Sequence, residues 1–118
     1  MGTTASISKL NDDGSVSSIF CNFDGYLSWT GETLKKYYKT PGYVDKLLSH
    51  GDIRCLDKSI QLTKEITECN NIKYDKRTTY FVDWQDYENH GCREDYNYMY
   101  CDGEWTVKPY GDGNFNTF

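Results

Sequence analysis

Asp95-Tyr96-Asn97-Tyr98-Met99-Tyr100-Cys101-Asp102-Gly103-Glu104-Trp105-Thr106-Val107 is the stretch that decides the fold. Tyr96, Tyr98 and Tyr100 recur at every second position, which is the period of a β-strand. Asp102-Gly103 then supplies the residue pair that suits a tight hairpin, where both central positions take positive φ. Glu104 to Tyr110 returns with Trp105 and Val107 in alternation. Earlier in the chain, Ser6 to Leu10 offers Ile7 and Leu10 as core positions, and Asn11-Asp12-Asp13-Gly14 is a dense turn signal. Ser15 to Phe23 follows with Val16, Ile19, Phe20, Cys21 and Phe23, and this reads as a second hairpin closed by Asp24-Gly25.

Between the hairpins the period changes. Thr30 is placed to cap a helix, with Glu32 in its first turn, Leu34, Tyr37 and Tyr38 at helical spacing, and Lys35, Lys36 and Lys39 toward its end. Thr40-Pro41 starts a second helix whose apolar stripe is Val44, Leu47 and Leu48, and Gly51 stops it. Asp52 to Leu56 reads as a turn and a short extended piece. Ile60 to Ile66 suits a strand or a frayed helix, Thr78 to Trp84 is β-like, and Gln85 to Gly91 is a polar loop. Gly111 to Phe118, rich in Gly and Asn, is expected to be a mobile tail. Two hairpins cannot bury their apolar faces alone. The expected fold is therefore α+β: one domain over residues 1–118, with an antiparallel β-sheet built from the N- and C-terminal hairpins and two short helices packed on one face.

The chain has 118 residues, of which 37% are hydrophobic, and 11 Tyr, 3 Trp and 5 Phe compensate for that low share. Aromatics in this number argue against disorder. No stretch is long or apolar enough to span a membrane. The opening residues lack the regions of a signal peptide, and Met1 to Ser6 fits the loose myristoylation pattern without a second membrane signal. Five irregularly spaced cysteines (Cys21, Cys55, Cys69, Cys92, Cys101) make a poor disulfide framework, so reduced thiols in a cytosol are expected.

Net charge is −5 and lies entirely in the second half. Asp83, Asp86, Glu88, Glu94, Asp95, Asp102 and Glu104 stand against Arg93 alone between positions 83 and 104. Such a segment repels a phosphate backbone, so direct nucleic-acid binding is disfavoured. His90, Cys92 and Cys101 supply three zinc-ligand types, but the Cys-x2–4-Cys pair of structural zinc sites is missing. Asp83 and Asp86 with His90 are the corresponding set for a small metal-dependent hydrolase or nuclease, and nothing fixes their spacing into a known constellation. No cofactor is expected.

The tyrosine ladder leaves two readings open. Tyr96, Tyr98 and Tyr100 project to one face and Met99 and Cys101 to the other. If Met99 faces the core, the tyrosines join Trp105 in an exposed aromatic surface with the character of a protein-binding hot spot. If the tyrosines face the core, their hydroxyls reach outward. The first reading selects a partner face of Asp83, Trp84, Asp86, Tyr87, Glu88, Glu94, Asp95, Tyr96, Tyr98, Tyr100 and Trp105. A homo-oligomeric module, or a homodimer formed through exposed hairpin edges, is the structural alternative.

A family resemblance is carried by Ser6-Ile7, Asp13-Gly14-Ser15-Val16, Ser18-Ile19-Phe20-Cys21 and Asp24-Gly25-Tyr26. Gly31, Leu34, Tyr37-Tyr38, Val44, Leu47-Leu48 and Gly51-Asp52-Ile53 continue it in order, and Tyr100-Cys101-Asp102-Gly103-Glu104-Trp105 looks like the closing hairpin. On these residues the chain resembles a group of small accessory proteins encoded by bacteriophages and prophages. The section from Cys55 to Arg77 departs from the pattern. What the resemblance implies is context: a non-enzymatic phage product in the host bacterial cytoplasm that binds and blocks a host protein, as an anti-defence inhibitor of the anti-CRISPR type does.

Overall fold

Short turns fix two of the antiparallel strand pairs. In the computed structural model, which describes residues 2–69 and 77–118, β1 (Ala5–Leu10) pairs antiparallel with β2 (Val16–Cys21), Ile7 opposite Ile19. Gly14 takes φ +88° in the turn between them, a conformation that side chains with a Cβ rarely adopt. β4 (Tyr96–Cys101) pairs antiparallel with β5 (Glu104–Pro109), and Asp102 and Gly103 at the turn both have positive φ, 52° and 80°.

The sheet is mixed, which corrects the expected antiparallel arrangement. Six strands run in the order β3-β2-β1-β4-β5-β6, where β3 is Thr79–Phe81 and β6 is Asn116–Thr117. β1 sits at the centre and runs parallel to β4, Ile7 beside Tyr98. The two strands are pinned at their starts: the Tyr96 amide donates to the Thr4 carbonyl (3.2 Å), and the Thr4 amide donates to the Asp95 carboxylate (3.0 Å). Entering from the same end, they run in the same direction.

Helices lie on both faces, not one. On the first face are α1 (Glu32–Tyr37), α2 (Pro41–His50) and α3 (Ile60–Glu68). α2 begins as the sequence suggests, its Thr40 hydroxyl accepting from the Tyr43 amide at 3.3 Å. α3 resolves the ambiguous 60–66 segment, with Ser59 as its cap. Thr30 is not a cap: it is buried in a π-helical turn, Leu27–Gly31, and donates to the Asp24 carbonyl (2.7 Å). The other face carries α4 (Trp84–His90), in the segment expected to be a polar loop, with Asp83 accepting from the Asp86 amide at 2.8 Å.

The main core lies between the sheet and α1–α2. Ile7, Ile19, Cys21, Tyr98, Tyr100, Trp105 and Val107 meet Leu34, Tyr38, Val44, Leu47 and Leu48. The tyrosines of the ladder thus belong to the interior. Their polar tips are satisfied by main-chain carbonyls of the covering layer: Tyr98 Oη donates to Gly25 (2.7 Å), Tyr100 Oη to Lys39 (2.8 Å) and Trp105 Nε1 to Tyr38 (2.8 Å). A smaller cluster on the second face joins Val16, Phe81, Tyr87 and Met99. The tail does not trail away: β6 pairs with β5, Phe115 joins the smaller cluster and Phe118 the larger one. Met1 and residues 70–76, the latter within the section that departs from the phage-protein pattern, lie outside the described residues.

Candidate partner-binding surface

The eleven residues expected to form a partner face do not converge. Tyr98, Tyr100 and Trp105 are core on one side of the sheet, and Tyr87 is buried on the other. Tyr96 is half-buried and stacks on Tyr98 with ring centroids 6.4 Å apart. Trp84 is half-buried against Tyr87 and Phe115. These six aromatics serve packing, because a strand whose phenols reach backbone acceptors hides more apolar area facing the helices than facing water.

The acidic members are mostly engaged locally. Asp83 caps α4. Asp86 accepts from the Val82 amide (3.0 Å) and pairs with His90 Nδ1 (2.9 Å), and these contacts, the amide foremost, hold its carboxyl below the usual aspartate range. Asp95 accepts from Thr4. Glu88 is exposed on α4. Glu94 shares a cleft of about 210 Å³ with His90, lined also by Ser6, Ser18, Phe20 and Phe81.

The chemistry of the thiols is subdued. Burial pushes Cys21 up to about 12, and burial followed by the Asp24 carboxylate pushes Cys55 up to about 11. Cys92 and Cys101 are raised as well, chiefly by burial. Thiols of this kind stay protonated near neutral pH and are poor nucleophiles. Among the described residues no three His, Cys, Asp or Glu side chains are grouped to hold a metal ion. Among them, too, no helix is long and apolar enough to cross a membrane.

What the surface does present, between the end of β2 and the end of α1, is four exposed aromatics, Phe23, Tyr26, Trp29 and Tyr37. Gly25 lets the chain leaving β2 lie against the start of β1, since a Cβ there would meet the Thr4 backbone at 2.8 Å, and its amide donates to Thr3. The π-helical turn that follows swings Trp29 outward. Its indole N–H donates to the Leu56 carbonyl at 2.9 Å, which fixes the ring while leaving it 43% exposed. Tyr37, 41% exposed, shares with Trp29 a cleft of about 210 Å³ lined also by Ser28, Glu32 and Thr33. Lys36 stands over the Tyr37 ring at 5.5 Å, and Arg54 over the ring of exposed Phe23 at 5.7 Å. Tyr26 is exposed as well, its phenol raised by the adjacent Asp24 carboxylate.

Sequence reasoning placed Tyr37 in the helix stripe and passed over Trp29. The available signal was Ser28-Trp29-Thr30, a large aromatic between polar residues and outside any apolar period. No family model, no curated protein and no solved structure matches this chain.

Proposed function

We propose that this chain is a non-enzymatic phage accessory protein that binds a host protein in the bacterial cytoplasm and inhibits it, making contact through Phe23, Tyr26, Trp29 and Tyr37. The observation that carries the reading is Trp29, a tryptophan held rigid by a main-chain hydrogen bond yet left open to solvent. Trp, Tyr and Arg dominate the energetics of protein interfaces, and a pre-positioned ring loses little entropy on binding. At ~40% exposure the four rings offer roughly 300 Å² of apolar surface, or about 7.5 kcal/mol gross at 25 cal/mol/Å². That is comparable to the cost of association, so the flanking cations Lys36 and Arg54 supply rim contacts and selectivity.

The phage context rests on the sequence resemblance described above. Mimicry of nucleic acid by the acidic segment draws less support, because Asp83, Asp86 and Asp95 are held in local hydrogen bonds. The test is affinity capture of the tagged protein from bacterial lysate, with and without nuclease, at low and high salt. One host protein retained in stoichiometric amount under all four conditions supports the reading. Retention that vanishes with nuclease, or falls steeply with salt, contradicts it.

A further inference from the structure

β5 is six residues long, yet β6 covers only Thr106 and Val107 of it. Two aromatic anchors hold this short strand, one on each side of the sheet edge. Phe115 packs on Trp84 and Tyr87, with centroids 5.5 and 6.2 Å away. Phe118 enters the opposite side, 5.7 Å from the Tyr98 ring and 5.0 Å beneath the Lys35 ammonium, which also donates to its main-chain oxygen. Residues i and i+3 of an extended chain point to opposite faces, so Phe-x-x-Phe straddles an edge strand. Gly31 makes the Phe118 seat: a Cβ there would crowd the ring at 3.0 Å. The seat opens on either side into clefts of about 270 and 350 Å³, the first lined by Lys39 and Trp105, the second by Leu27 and Glu32.

We propose that the β5 edge is a docking site for an extended peptide segment of a protein partner bearing aromatic side chains at i and i+3, and that residues 114–118 are a tethered competitor lying in it. The tail itself shows which chemistry fits: main-chain pairing to β5, one ring on each face, and an acceptor oxygen for Lys35. Added strands of this kind draw affinity from main-chain hydrogen bonds and specificity from side-chain pockets. Gly111, at φ +87°, sits in the turn that leads to the tail. The site adjoins the Trp29–Tyr37 cleft through Ser28 and Glu32 but stands on other residues. It rests on the partner-binding reading only in taking a protein as the source of the peptide.

The experiment uses an acetylated, amidated peptide copying residues 112–118, titrated into the full chain and into its Phe115→Ala/Phe118→Ala variant and followed by NMR. A tethered tail competes at an effective concentration of about 1 mM, so a peptide held by the variant with a Kd of ~0.1 mM or below should bind it at least ~10-fold more tightly than it binds the unaltered chain. Thr106 and Val107 amides should shift, and a peptide with both Phe replaced by Ala should not bind. Equal affinities, or no binding by a variant with an unchanged circular dichroism spectrum, would overturn the proposal. If the double variant does not fold, Phe118→Ala replaces it. In the unaltered chain, excess peptide should also move the Phe118 ring signals to solvent-exposed positions, and unmoved signals count against the site. Sedimentation addresses the other occupant: a dimer that Phe118→Ala abolishes would overturn the assignment in favour of tail exchange between copies. Peptide binding that persists in Trp29→Ala/Tyr37→Ala while lysate capture is lost would show that the two sites stand or fall separately.

Discussion

Replacing Tyr98 with alanine separates a core tyrosine ladder from a surface one. Tyr98 has no exposed area, its ring packs on Tyr96 and Phe118, and its hydroxyl donates to Gly25 at 2.7 Å. Removing a buried aromatic ring costs roughly 3–5 kcal/mol, including the cavity left behind. The Gly25 carbonyl also loses its buried donor, which places the total near the top of that range. An unfolding entropy of about 2.1 cal/mol/K per residue gives roughly 250 cal/mol/K for 118 residues. A loss of ~5 kcal/mol therefore lowers Tm by about 20 °C. Tyr98→Phe keeps the ring and removes only the hydrogen bond, so its drop should be ~4–8 °C. Thermal melts by circular dichroism, with urea titration alongside, read both values. A Tyr98→Ala protein that melts within ~3 °C of the parent would refute the placement of the ladder and return those tyrosines to the surface.

Asp83→Ala removes the cap of α4 and should cost about 1 kcal/mol in urea unfolding, whereas Glu88→Gln on the same helix should be neutral. Because the Asp86 carboxyl is held below the 3.8 of a free aspartate, its contribution is fully present above that pH and is lost as pH falls through its lowered value. Asp86→Asn should therefore flatten the acid limb of the stability curve below pH 3.8, and an unchanged limb would disprove the pairing with Val82 and His90. Thiol labelling with a disulfide reagent should modify exposed Cys69 at once and buried Cys21, pushed up to about 12, only on unfolding.

Local signals were legible in the sequence and non-local ones were not. Gly14 and the pair Asp102-Gly103 specify their turns through positive φ, and Thr40-Pro41 specifies a helix start, because each acts over a few residues. The parallel pairing of β1 with β4 depends on Thr4 and Asp95, which are 91 residues apart in the chain. α4 was hidden by composition: only Trp84 and Tyr87 are apolar, and its stability comes from Asp83 and from packing on Phe81 and Phe115. The tail read as mobile because Gly and Asn outnumber its anchors, yet Phe115 and Phe118 suffice to seat it. For the candidate site, alternation placed Tyr96, Tyr98 and Tyr100 on one face but carried no sign of which side the helices cover. That choice decides between core and surface, and it buries Tyr98, Tyr100 and Trp105, which the other reading makes an exposed aromatic surface.

The most direct test of the central claim is a comparison of three tagged proteins in the same lysate capture: the unaltered chain, Trp29→Ala/Tyr37→Ala, and Asp83→Asn/Glu88→Gln, each shown by its melt to be folded. The host protein held by the unaltered chain should be held equally by the acidic-segment variant and lost, by ~10-fold or more, from the aromatic variant. Retention by the aromatic variant together with loss from the acidic-segment variant would contradict the claim and move the interface back to α4.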